Sequence, residues 1–328
     1  MRHIKLFNII AAAILCLISI SIFLYLTTDA TQIEIVNNEA SGKLSLLIDD
    51  QSLFVYQYSQ EWDLPHFWPL NSPSGNNMLI QKAEPFPHHR SFWFADTIML
   101  EGEREISFYY AYTSGEKIGE NDFGPPFRDH VRHIEFIRSD ALGNNAIIKE
   151  KLLWEMDGDK PVVEEYRDIR IYSLKNREYL IDISFTLTAT FADVFFLSDS
   201  IHYAWPFLRM HPDFSEVNGG TITSDNGATG ENATDMQIAQ WIDYSNTVEG
   251  VTEGLAVFQW PDGHDHKWLT REYGCFGPRR PENQNGKPFT LYKGDSISQR
   301  VGVYVHQGDV KIANVERIYK EYISGKFH

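Results

Sequence analysis

Between Ile181 and Phe191 the chain alternates strictly. Ile181, Ile183, Phe185, Leu187, Ala189 and Phe191 are separated by Asp182, Ser184, Thr186, Thr188 and Thr190. A period of two puts all the apolar side chains on one face of an extended strand, whereas a helix would scatter them around its axis. A long half-buried strand needs a second layer over its apolar face, so this run already demands a layered β structure. Further strands are expected at Leu44 to Ile48, Leu53 to Tyr58, Ser91 to Met99, Ile106 to Tyr112, Val131 to Ile137, Ile147 to Trp154, Val162 to Tyr172, Met236 to Ile242, Leu255 to Trp260 and Ile297 to Val305. Turn residues such as Asp157-Gly158-Asp159, Ser224-Asp225-Asn226-Gly227 and Lys293-Gly294-Asp295 separate several of them. More than ten strands with almost no helical period between them predict an all-β fold, a large antiparallel β-sandwich. One helix is expected at the C-terminus, capped by Asp309 and carrying Ile312, Val315, Ile318, Tyr319 and Tyr322 at helical spacing up to Gly325.

The first thirty residues lie outside that fold. Arg2 and Lys5 precede an apolar run from Leu6 to Leu26, which reads as an export signal cleaved after Ala30 or as an uncleaved anchor spanning a membrane through residues 6–26. The remainder, residues 31–328, has no Pro-rich or Ser-rich linker and no repeat, so a single exported domain is expected, periplasmic or at the cell surface. Cys275 is then the one cysteine of that domain and reads as a small buried apolar residue. Lys and Arg number 29 against 45 Asp and Glu, a net charge of −16, which argues against a nucleic-acid partner because a polyanion is bound by neutralising phosphates with a basic face. Two stretches, Glu116 to Asp129 and Gly274 to Pro288, read as long loops of the kind that carry function.

The densest cluster of chemically capable residues is Pro85-Phe86-Pro87-His88-His89-Arg90-Ser91-Phe92-Trp93-Phe94. The prolines force an extended entry to a strand start, where one imidazole could move a proton and Arg90 could hold a carboxylate or hydroxyls. The same pattern also suits one packed and one solvated histidine.

The run Phe67-Trp68-Pro69-Leu70-Asn71-Ser72-Pro73-Ser74-Gly75, followed by Pro87-His88-His89-Arg90-Ser91-Phe92-Trp93-Phe94, resembles a bacterial family labelled methane oxygenase PmoA. Trp241-Ile242-Asp243-Tyr244-Ser245, Trp268-Leu269-Thr270-Arg271-Glu272-Tyr273-Gly274 and Val305-His306-Gln307-Gly308-Asp309 agree with it. A methane-oxidising membrane subunit needs several transmembrane helices, and this sequence has one apolar run of that length. The resemblance implies a carbohydrate-related role and a sandwich like that of galactose mutarotases, in which His89-Arg90 would serve the sugar ring. The sequence departs from the family's pattern at Phe86-Pro87, where an Asp is usual.

Catalytic candidates are therefore His88, His89 and Arg90, with Asp243 or Glu272 as carboxylate partner. Substrate-binding candidates are His66, Trp241, Tyr244, His266, Arg271, Tyr273 and His306, with the aromatic rings as stacking surfaces for sugar. Arg90, Arg271, Arg279 and Arg280 could converge on a uronate or sulfate, or could be separate solvated side chains. No cofactor is expected, since phosphate-cradling and dinucleotide motifs are missing. The leading expectation is an exported protein acting on a sugar or polysaccharide by hydrolysis, β-elimination or ring-opening. The alternatives are a non-catalytic glycan-binding protein tethered to a membrane and a metal-dependent enzyme using His88, His89, His264 and His266.

Overall fold

The computed structural model describes residues 32–111, 129–197, 204–280 and 287–327, with the backbone of 117–118 and 122–123. The expected signal or anchor, and most of the Glu116 to Asp129 stretch, lie outside the described residues. Among the described residues no helix is long and apolar enough to cross a membrane.

Two eight-stranded antiparallel sheets face each other. Sheet I runs, in spatial order, Ile33–Asn38, Lys43–Ile48, Gln51–Gln57, His66–Leu70, Phe92–Trp93, Phe207–Arg209, Cys275–Pro278 and Trp268–Thr270. Sheet II runs His130–Leu142, Asn145–Met156, Lys160–Ser173, Tyr179–Thr188, Ser296–Gln307, Val251–Gln259, Trp241–Val248 and Thr221–Ser224. A smaller four-stranded sheet includes Thr97–Leu100 and Val194–Phe196. The antiparallel β-sandwich read from the sequence is the observed architecture. The Ile181 alternation lies in the middle of sheet II, and its apolar residues join a core shared by both sheets.

The opposite face of sheet II is also covered. Helix Val315–Ile323 lays Val315, Ile318, Tyr319 and Tyr322 on Tyr172, Leu180, Trp241, Phe258 and Tyr304. Asp182, expected in water, is consequently buried, and it accepts two bonds from Arg300 at 2.8 Å each and one from the Tyr322 hydroxyl at 2.8 Å. The helix begins five residues later than expected. Asp309 Oδ1 accepts from the Lys311 and Ile312 amides, so it caps a preceding turn, and Asn314 at φ 52° precedes the helix.

Other expectations are corrected. Ser91 to Met99 is two strands in different sheets, because buried Asp96 turns its carboxylate to the Thr97 amide at 2.7 Å and the Trp205 indole at 2.8 Å. Ile106 to Tyr112 is a strand only over Glu105–Ser107; Phe108–Tyr110 form a 3-10 turn. Within Met236 to Ile242 the strand starts at Trp241, since Met236 has φ 61°. Gly274 to Pro288 holds the strand Cys275–Pro278 rather than being loop throughout.

The interior between the sheets contains a charged cluster. Arg167 pairs with Glu165 at 2.7 Å and donates to the Tyr56 hydroxyl at 2.9 Å, and Tyr56 donates in turn to Glu150. The Trp154 indole adds a bond to Glu165 at 2.7 Å, and His133 faces Glu150. Burial pushes the Glu165 carboxyl up while Arg167 pulls it down, and the acids around Arg167 hold its charge firmly. Removing the one central cation strands two buried carboxylates. Arg167→Met should therefore cost about 3–5 kcal/mol in urea unfolding, and adding Glu165→Gln should recover part of it. A loss below about 1 kcal/mol would show that the cluster is not a structural tie.

Candidate functional site

The cross-strand register of sheet I sorts its side chains. Tyr56, Phe67, Phe92 and Leu208 are paired neighbours on the inner face, so His66, Trp93, Phe207 and Arg209 fall on the outer face. The segment before Phe92 folds back over this outer face. The Lys82 amide donates to the His89 carbonyl, and the amides of Phe86 and His89 close turns on Ala83 and Phe86. These bonds set Phe86, His88 and His89 above Trp93, with ring centroids of His89 and Trp93 5.3 Å apart and Phe86 stacked on His89 at 5.0 Å. The 3-10 turn after Glu105–Ser107 brings Tyr109 and Tyr110 to the same place.

The result is a partly exposed aromatic rim over a polar floor. Phe86, His88, Tyr110 and Tyr273 form the rim, with Tyr110 47% exposed. His89, 2% exposed, lies beneath them, its Nε2 2.9 Å from the Tyr109 hydroxyl and its Nδ1 without a partner. Beside it Arg209 is 5% exposed, lies 4.2 Å from the Tyr273 ring centroid and donates to the Tyr273 carbonyl. The Arg209 Nε and the Trp93 Nε1 also lack partners. Buried polar groups are nearly always paired, so three nitrogens without a described partner in one neighbourhood single it out as a candidate site.

Arg90, read as the substrate-holding cation, is instead buried against Asp63 at 3.1 Å and donates to the Ala111 carbonyl at 3.2 Å. It braces the site from below. His66 is fully buried on the same sheet face, with Nδ1 3.0 Å from the Leu64 carbonyl and Nε2 2.8 Å from the Gln81 side chain. Burial and neighbouring arginine charge lower all three histidines: His66 to about 3, His88 to about 4 and His89 to about 2. For His89 the order of causes is burial, then His88, Arg209 and Arg90. All three rings are therefore neutral near pH 7, and among them His89 keeps Nδ1 without a described partner.

The remaining candidates are not brought here. Asp243 and His306 are fully buried on the helix-covered face of sheet II, bonded to one another at 2.7 Å. Gly254 makes room for that ring: a Cβ there would meet His306 Cε1 at 2.5 Å. Trp241 lies under the helix with its indole donating to Glu316, and Tyr244 is in the core with its hydroxyl on the Arg271 carbonyl. Glu272 is exposed beside Glu216 and Glu231, and Arg271 pairs with Asp235 at 2.6 Å. Arg280 faces Asp96 at 3.5 Å, so Arg90, Arg271 and Arg280 each meet a different acid rather than converging. His266 bonds the Arg279 carbonyl and Asp262, in a separate cleft of about 470 Å³ that His264 and Trp260 also line. Among the described residues no three His, Cys, Asp or Glu side chains gather as a metal set, so His88, His89, His264 and His266 do not form the one considered. Cys275 is buried and its thiol pushed up to about 12, which suits a packing role.

Tyr109, Trp93 and Arg209 were not among the sequence candidates. A lone arginine in the apolar run Ala204-Trp205-Pro206-Phe207-Leu208-Arg209-Met210 was the available signal, since a charge in a strand of that kind must be buried for a reason.

A family model described as a family of unknown function, DUF6807, matches residues 43–320. No curated protein matches the sequence. Among solved structures the chain is similar to the GH36 alpha-galactosidase AgaA from Geobacillus stearothermophilus, with 8% identity and a TM-score of 0.42 over 84% of this chain. The chain spans 41% of that enzyme's length. A GalM/aldose epimerase homologue from C. elegans gives 9% identity and a TM-score of 0.33, covering 85% of this chain and 100% of its own. Galactose 1-epimerase from Lactobacillus acidophilus NCFM gives 9% and 0.36, with the same coverages.

The neutral histidines carry a pH signature. Unfolded histidine takes up a proton near pH 6.5, whereas these folded rings resist until about pH 4 or below. Their contribution to stability is complete above pH 6.5 and erodes as the pH falls from there toward the folded values. Imidazole ¹⁵N shifts of His66, His88 and His89 should stay those of neutral rings at pH 5.5, while the urea midpoint drops between pH 7 and 5. Titration of His89 near pH 6.5 would refute the buried, cation-flanked setting.

Proposed function

The chain belongs to the family of unknown function DUF6807, and from that premise, which fixes kinship and leaves the chemistry open, we propose that it is a carbohydrate-active enzyme that moves a proton on a sugar. The observation that carries this reading is the neutral His89, tied through Nε2 to Tyr109 and unpaired at Nδ1, beneath an aromatic rim. When the Tyr109 oxygen accepts from Nε2–H, the Nδ1 lone pair is bare and serves as the base. Tyr109 then fixes the tautomer and orients the ring, and Arg90 with Asp63 holds the strand start from which His89 hangs.

Phe86, Tyr110 and Tyr273 offer flat faces on which a sugar ring stacks, and the floor offers N–H groups to its oxygens. The rings set against His89 are those of Phe86, His88, Trp93 and Tyr109, and the charges described as acting on it are those of His88, Arg209 and Arg90, none of them a carboxylate. Asp243 and Glu272 lie elsewhere, so this arrangement favours ring-opening or β-elimination over hydrolysis by a carboxylate pair. The motif resemblance to the family labelled methane oxygenase PmoA supports the same substrate class. We propose also that the domain acts outside the cytoplasm, delivered or tethered by residues 6–26.

The full chain should be incubated with neutral and uronate-containing saccharides, following product mass and the exchange of anomeric forms by NMR. Elimination yields an unsaturated product, hydrolysis adds water, and ring-opening changes anomer ratios without changing mass. His89→Ala should lower turnover by about 10²–10⁴ while leaving saccharide binding within a few-fold. Binding without turnover in the unaltered protein would instead make it a glycan-binding module.

A further inference from the structure

Arg209 is a buried cation with no carboxylate against it among the described residues. Arg90, Arg167 and Arg280, equally buried, each face a carboxylate. After burial, the largest charge effects on Arg209 come from Cys275, Tyr273, Tyr244 and Tyr109, a thiol and three phenols. Two of them are pushed up to about 12, so they supply no negative charge near pH 7. In a chain with 45 acidic residues against 29 basic ones, none of the described acids makes an ion pair with this guanidinium. An uncompensated buried charge is costly, and it is retained where an outside counter-ion completes the site. The unpaired Trp93 Nε1 in the same wall is likewise a donor that needs an oxygen.

We infer, resting on the carbohydrate reading above, that the sugar taken by this site is acidic: a uronate whose carboxylate lies on Arg209. A planar carboxylate matches a guanidinium better than a hydroxyl does. Such a ligand has a further effect, since the Arg209 charge helps to depress His89 and a bound carboxylate would offset that share of the depression. The base would gain strength when its substrate arrives.

The test is calorimetric, using the full chain with trisaccharides of galacturonate, glucuronate and mannuronate, their methyl esters and the matching neutral sugars. At least one acid should bind tenfold or more tighter than its own methyl ester, and Arg209→Gln should collapse that ratio toward one. The ester comparison uses the unaltered protein, so it stands even if the variant fails to fold. If acid and ester bind equally, and His89→Ala still removes turnover, the acidic proposal fails and the sugar reading survives. If no saccharide of either kind binds, both fail together.

Discussion

On sheet I the inner face is a cross-strand ladder of Tyr56, Phe67, Phe92 and Leu208, packed toward sheet II. Because side chains alternate, that ladder leaves no choice about the residues between them: His66, Trp93, Phe207 and Arg209 must stand on the other side. A one-residue slip would drive Arg209 into the shared core and expose Leu208. The Tyr56, Glu150, Arg167 and Glu165 cluster guards against this, since a polar group in an apolar interior is satisfied in one register only. The site therefore depends on contacts made on the opposite face of its own sheet.

The two sheets divide their labour. Sheet II has long strands, a helix on its outer face and buried polar pairs such as Asp182 with Arg300 and Asp243 with His306. These pairs answer charge with charge inside the fold. Sheet I has a short, interrupted middle, with an aromatic rim and nitrogens that no described group answers. Chemistry gathers where the secondary structure is least regular.

How much of this could be read in advance follows from range. The alternation around Ile181 is a local signal, and it gave the strands of sheet II and hence the sandwich. His88 and His89 are legible as a candidate site because proline, histidine and a strand start are neighbours in the chain. Tyr109 and Arg209 reach His89 from 20 and 120 positions away, through a 3-10 turn and a three-residue strand with no distinctive pattern. Trp241, Asp243 and His306 looked like a site because an aromatic, an acid and an imidazole suit sugars. The same chemistry equally suits a face covered by a helix, and nothing local to Trp241 tells the two apart. Arg90 illustrates a different failure: its residue type was informative, but Asp63, which takes its charge, is 27 residues away.

The brevity of the strands under the site has its own consequence. Phe92–Trp93 and Phe207–Arg209 are joined to each other through two paired positions, whereas Tyr179–Thr188 is paired along ten with Ser296–Gln307. Cooperative protection against opening grows with such pairing, so the floor of the site belongs to the part of the domain that opens locally at least cost. His89 and Arg209 are nearly inaccessible in the closed state. A molecule that reaches them therefore meets the least extensively paired strands of the sandwich, while the ten-position pairing of sheet II lies apart from the site.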